Sequence, residues 1–200
     1  MDFQDLKARL ERNRFTVTTF PSGQEAAAYL NRAIDGRTVG CGGSMTLQAL
    51  GLYDSLAAHN TLYYHGTAQD RAAAMAGAAT AQVYLCSVNA VAADEGALLN
   101  IDGTGNRVSG FLHGHEKVYF VVGRNKIAPD FHQALWRARN IAAPKNAQRL
   151  QRKTPCAAKG DRCYDCDSPE RICNGLVVLW KKMGGVGEME VVLIDEELGY

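Results

Sequence analysis

Four cysteines stand within eighteen residues, Cys156, Cys163, Cys166 and Cys173, in a C-x6-C-x2-C-x6-C pattern among small, polar and charged residues. Thiolates bind soft metals, and a C-x2-C pair lets two of them reach one tetrahedral centre from a single tight turn while the outer two close the coordination. The spacing predicts a metal or iron-sulfur site, with two disulfides or unbridged structural thiols as the alternative. Cys41 and Cys86 lie far upstream and are expected to stand apart from it.

A second chemical feature is the glycine-dense run Val39-Gly40-Cys41-Gly42-Gly43-Ser44-Met45-Thr46-Leu47. Glycines let backbone N-H groups approach a ligand, and a following helix start adds partial positive charge, so the turn suits an anion such as phosphate or carboxylate. Ser44 or Thr46 could add a hydroxyl. No Lys-Ser or Lys-Thr follows, and G-x-G-x-x-G is not matched. The plainer reading is a tight strand-to-helix connection with Ser44 as N-cap. Cys41 within the turn is a nucleophile candidate or a packing thiol.

The third feature is Asn100-Ile101-Asp102-Gly103-Thr104-Gly105-Asn106-Arg107, which gathers an acid, amides, a hydroxyl and a cation around two glycines. Such a loop suits a polar ligand, or is a turn capped by Asp102. Asn89 follows a predicted strand end, where ligands gather in open α/β sheets. Arg124 and Lys126 lie beyond another strand end and, with Arg107, could neutralise an anion, although such cations are commonly solvated. His59, His65, His113, His115 and His132 form no HExxH pattern.

Positioning these groups falls to a chain of 200 residues, enough for one α/β domain with an appendage. Twenty-two basic and 21 acidic residues leave a formal charge of +1, without the strong positive field that attracts nucleic acid or anionic lipid. Acids follow Met1 where a secretory signal needs a basic start, and no run approaches the roughly 18 apolar residues of a membrane span. A cytoplasmic chain is expected, and the scarcity of disulfides in that compartment favours metal at the cysteines.

Apolar spacing predicts a helix over 2–14, a strand over 15–20, a helix from Pro21-Ser22 to Ile34 and a strand at 38–40. Helices over 46–58 and 69–79 alternate with strands at 61–64, 82–87, 97–101 and 117–122, and a helix over 129–140 follows. Strand-helix-strand order implies a parallel sheet. Residues 142–175 gain Pro144, Pro155, Pro169 and the cysteines while losing apolar periodicity, so a bound metal would have to support them. Strands at 176–180 and 190–194 are expected to be joined by the Gly184-Gly185-Val186-Gly187 turn.

The glycine turn, Ser87-Val88-Asn89-Ala90-Val91, Leu99 to Arg107 and Val122-Gly123-Arg124-Asn125-Lys126, in that order, resemble the LUD-domain family of lactate-utilisation proteins over about residues 5 to 200. Thr154-Pro155-Cys156, Cys163-Tyr164-Asp165-Cys166 and Ser168-Pro169-Glu170-Arg171-Ile172-Cys173-Asn174 are similar to its subgroup with a cysteine-rich tail. The resemblance implies a single α/β domain over 1–200, an open, mostly parallel sheet flanked by helices like that of ribose-5-phosphate isomerase and the CoA transferases, with 142–175 as a metal-binding segment. It implies an anion held by Gly40, Gly42, Gly43 and Ser44 in a pocket lined by Asn100, Gly103, Thr104, Gly105, Asn106, Arg107 and Arg124, with Asp102, Asn89 and Lys126 as catalytic candidates. Asp102 stands here among amides, unlike the acid-rich isomerase loop. The resemblance further implies a component of a lactate-oxidising system that binds a small anionic metabolite and carries a [4Fe-4S] cluster, with redox or iron-sulfur proteins of the same pathway as partners and homo-oligomer formation open. The alternative is an isomerase- or transferase-like enzyme with a structural Zn2+ on the four cysteines.

Replacing Cys163 and Cys166 together with Ser is expected to remove bound metal and loosen the tail, read by elemental analysis and limited proteolysis; unchanged metal content contradicts the ligand assignment.

Overall fold

In a computed structural model, residues 3–200 are described. The chain runs α1 (Gln4–Arg12), β1 (Thr16–Phe20), α2 (Gly23–Ala33), β2 (Thr38–Cys41), α3 (Met45–Ala49), α4 (Leu52–Ala57), β3 (Thr61–Tyr64), α5 (Arg71–Thr80) and β4 (Val83–Cys86). It continues through β5 (Ala90–Ala92), β6 (Ala97–Asp102), α6 (Asn106–Leu112), β7 (Lys117–Gly123), β8 (Ile127–Ala128), α7 (Phe131–Arg137), α8 (Ala143–Arg149), α9 (Pro155–Lys159), β9 (Gly175–Leu179) and β10 (Glu188–Ile194). The predicted first helical residue, Asp2, lies outside the described residues.

Six strands form a parallel sheet in the order β1-β10-β7-β4-β2-β3, as the strand-helix alternation implies. Its central strands, β4, β7 and β10, are apolar almost throughout because both faces are covered. Alternation divides them cleanly. Val118, Phe120, Val122, Met189, Val191 and Leu193 face the layer containing α1 and α6, whereas Tyr119, Val121, Val192 and Ile194 face α2, α3 and α4. Ser22 caps α2 by accepting from the Glu25 N-H, and Asp70 caps α5 by accepting from Ala73.

The second sheet, β8-β5-β6-β9, differs from expectation: β5 and β9 pair antiparallel with β6. Val91, Leu98 and Leu179 pack on the main core, and Ala90, Ala92, Ala97 and Leu99 pack on Ala134 and Ala138. The strands at 176–180 and 190–194 are therefore not partners across a glycine turn; β9 lies in this sheet and β10 in the parallel one. The helix expected over 46–58 is two short helices, interrupted where Gly51 adopts φ +63°. The helix expected to end at 140 instead widens into a π turn, Ala138–Ala142, and continues as α8. Pro144 has no N-H to return to the preceding turn, and the widening just before it accommodates the missing bond. Pro129 lies just outside its predicted helix, which Asp130 caps through the Gln133 N-H.

At the amino ends of the strands, Glu190 is 1% exposed and accepts from Thr18 (2.8 Å) and Tyr29 (2.7 Å) while pairing with Lys117 (2.8 Å). This network ties β1, β10, β7 and α2 together at the end opposite the loops described below. No helix among the described residues is long and apolar enough to cross a membrane.

Glu190→Ala removes the acceptor of the Thr18 and Tyr29 hydroxyls and leaves Lys117 with Glu188 alone, and is expected to cost about 3 kcal/mol in denaturant unfolding. The apolar pair Glu190→Leu with Lys117→Met should recover most of that loss; equal damage by both variants contradicts the ion-pair account.

Candidate functional site: a cationic cleft walled by the cysteine segment

The loops after β2, β3, β4 and β7 open at the carboxyl end of the parallel sheet, where the chain turns from β2 outward to β3 and then returns to β4. They enclose a cleft of about 390 Å³. Gly43, Ser44, Asn89, Asp102, Gly103, Thr104, Asn106, Arg107 and Lys126 line it, so most of the residues singled out from sequence meet there.

The floor is a hydrogen-bond network in which Asn100 Nδ2 is left buried without a partner. Arg107 donates to the Ser87 and Ile101 carbonyls, to Asn100 Oδ1 (2.7 Å) and to Asn89 Oδ1, and its Nε lies 3.4 Å from Asp102 Oδ2. Asp102 Oδ1 accepts from the N-H groups of Thr104 (3.0 Å) and Gly105 (2.7 Å), shaping the turn into α6. Lys126, 3% exposed, donates to Thr46 Oγ1 (2.8 Å), Ser87 Oγ (2.9 Å) and the Val88 carbonyl (3.2 Å). Burial, then Arg137 and Arg107, lower its pKa to about 7.

In the glycine turn, the Tyr53 hydroxyl accepts from the Ser44 N-H (2.9 Å) and donates to the Gly42 carbonyl (2.9 Å), while Ser44 Oγ caps α3 through the Leu47 N-H. Gly40 lies under α5, where a Cβ would come within 2.5 Å of the Ala78 carbonyl. Gly42 packs on Arg107 in the same manner. Asn100 is wholly buried behind the floor, and Gly105 is the left-handed residue before α6. Arg124 stands away from the cleft, 3.4 Å from Asp195. Burial pushes the Cys41 thiol far up and that of Cys86 to about 12, so both are packing thiols.

The opposite wall was not foreseen. His65 and Arg71 come from the β3–α5 region, Asn146, Arg149 and Arg152 from the end of α8, and Pro169, Glu170, Arg171 and Ile172 from the cysteine segment. The basic residues before Cys156 were the available signal, obscured because they sit in the stretch read as a metal tail. Ile172 passes so close to Gly103 that a Cβ there would lie 2.8 Å from its carbonyl oxygen. Asn174 donates its backbone N-H to the Asp102 carbonyl (3.0 Å) and its side-chain amide to the Gly103 carbonyl (3.0 Å).

Behind this wall, Cys156, Cys163, Cys166 and Cys173 line one small cavity of about 20 Å³ with Arg139 and Arg171. Asp165, at φ +47°, turns the C-x2-C loop and gives its N-H to Cys163 Sγ (3.4 Å). Arg139 donates to Asp165 (2.9 Å), Asn140 accepts from the Cys163 N-H, and Arg171 donates to the Cys166 and Cys173 carbonyls. Among the described residues no three His, Cys, Asp or Glu side chains are arranged to hold a metal ion. All six cysteines are free thiols. Four thiols around one cavity, with guanidinium and N-H donors beside them, are a donor set that fits a thiolate-bound metal or cluster.

Comparison with known proteins is decisive at the family level, because the LUD domain model matches residues 3–194. The chain belongs to the LUD-domain family. A crystal structure of a DUF162 family protein from Deinococcus radiodurans is similar in fold, with TM-score 0.58 and 13% identity over 96% of this chain and 95% of that one. No curated protein matches the chain. The parallel sheet with flanking helices is thus the LUD arrangement expected from the sequence motifs.

The Lys126 environment carries a pH signature. Its folded pKa lies below the unfolded value, so the unfolded state holds more protons between about pH 7 and 10 and stability from this group rises across that window. The LUD domain should gain stability relative to Lys126→Met when urea unfolding is repeated at pH 7 and pH 9.5; parallel profiles contradict a depressed pKa.

Proposed function

We propose that the protein is a redox component of lactate utilisation, whose LUD domain binds a small carboxylate or phosphorylated metabolite in the cleft and carries a [4Fe-4S] cluster on Cys156, Cys163, Cys166 and Cys173. The observation that carries this reading is the shared wall: Arg171 and Ile172 line both the cleft and the cysteine cavity.

When bound, a four-iron cluster accepts and releases single electrons. The chain's own part is to hold and tune it. Arg139, with its Nη2 3.8 Å from Cys163 Sγ, and the Asp165 N-H offset thiolate charge, and Arg171 ties the two cysteines flanking the cleft wall. On the cleft side, Asn89 and Asp102 supply polar groups, and Lys126, able to exist uncharged near neutral pH, can hold or release a proton at Nζ. Redox or iron-sulfur proteins of the same pathway are the partners.

The small size of the cysteine cavity favours a second reading, a single structural zinc serving an isomerase- or transferase-like enzyme.

Metal and sulfide analysis with a visible spectrum, on protein purified without oxygen, separates the two. About four irons and four sulfides per chain with broad visible absorption are expected. One zinc and no colour would replace the redox reading with the structural one.

A further inference from the structure

The cleft is lined by six cations, Arg71, Arg107, Lys126, Arg149, Arg152 and Arg171, against two acids, Asp102 and Glu170. Since the whole chain carries only +1, this excess is a local property of the site. The cations fall into two groups. Arg107 and Lys126 lie on the buried floor and are already occupied, Arg107 by four oxygen acceptors and Asp102, Lys126 by three acceptors.

The rim is different. Arg71, Arg149 and Arg152 are exposed, and no carboxylate lies within ion-pair distance of them or of Arg171 among the described residues. Arg149 touches only neutral groups, Asn146 Oδ1 and the Tyr200 hydroxyl; Arg171 gives its two terminal nitrogens to the Cys166 and Cys173 carbonyls, also neutral, and its Nε is buried without a partner. Glu170, the acid of this wall, accepts from the Lys153 backbone N-H (3.0 Å). Neighbouring Arg71, after burial, holds the His65 pKa below its ordinary value, a sign that the field at this rim is not neutralised from within.

Guanidinium groups match phosphoryl oxygens with paired hydrogen bonds, and several of them converging on one opening exceed what a single carboxylate can neutralise. A cleft of about 390 Å³ is also of the size that encloses ligands well above three carbons.

We propose that the ligand of this cleft is a phosphorylated metabolite bearing at least two negative charges, bound by its phosphoryl end at the arginine rim with its uncharged polar end on the Asn89 and Asp102 floor. Building on the anion-binding reading above, it narrows the ligand class and excludes a simple monocarboxylate. Charge selection belongs to Arg71, Arg149, Arg152 and Arg171, not to the floor cations that the sequence first suggests.

The test is calorimetric titration at constant ionic strength with inorganic pyrophosphate and with L-lactate as probes, on the wild-type protein and on Arg71→Ala and Arg152→Ala. Both sites are exposed, and circular dichroism checks that each variant stays folded. Pyrophosphate is expected to bind and L-lactate not. Each substitution should weaken pyrophosphate by roughly tenfold, the loss of about one charged hydrogen bond, while Arg32→Ala on α2 leaves it unchanged. Affinity for pyrophosphate equal in wild type and both rim variants overturns the proposal by moving the site elsewhere. Binding of L-lactate without pyrophosphate overturns it while sparing the anion-binding cleft, whereas binding of neither overturns both.

Discussion

The site depends on the docking of the cysteine segment against the loop after β6. Three contacts make it: the Asn174 N-H on the Asp102 carbonyl, the Asn174 amide on the Gly103 carbonyl, and the Ile172 backbone lying against Gly103. They explain why a glycine stands at 103, since any side chain would displace Ile172. They also give a chain segment with little apolar periodicity a second role, because the same residues that follow the C-x2-C pair complete one wall of the cleft. Whatever holds Cys156, Cys163, Cys166 and Cys173 together therefore also sets the shape of the cleft.

Electrostatics follows from that geometry. The sheet delivers Asn89, Asp102 and Lys126 to a floor whose polar groups largely satisfy one another, as buried polar groups must. The wall and the α8 end deliver arginines that meet only neutral acceptors and no carboxylate among the described residues. A near-neutral total charge conceals this division, because the acids that balance the count sit elsewhere, several of them in pairs such as Lys117 with Glu188 and Glu190 at the far end of the strands.

The parallel core was legible in the sequence because β4, β7 and β10 are nearly continuous apolar runs bounded by turn residues, α2 announces itself through Ser22, and α5 is an alanine-rich run. The second sheet was not, since β5 and β8 span only three and two residues and carry no periodicity of their own. Helix α6 hides behind Gly105, and α7 to α8 continues through a proline that on its face reads as a stop. At the site, motif residues such as Ser44, Asn89 and Asp102 were legible as a group, but not which of them have spare hydrogen-bonding capacity. Gly40 illustrates the limit: its absent side chain makes room for Ala78, a packing need that looks the same in sequence as a phosphate turn. Arg71 carried no signal, and the basic residues before Cys156 gave one that could not be placed, because only the fold brings the start of α5 and the end of α8 to the same opening.

If the cysteine segment is a wall of the cleft, the two must rise and fall together. Hydrogen-deuterium exchange on the native protein and on the Cys163→Ser, Cys166→Ser variant tests this directly. The account predicts that amides of residues 101–105 lose protection together with 152–174, while the parallel core stays protected. Loss confined to 156–173, with the Asp102 loop unchanged, would contradict it.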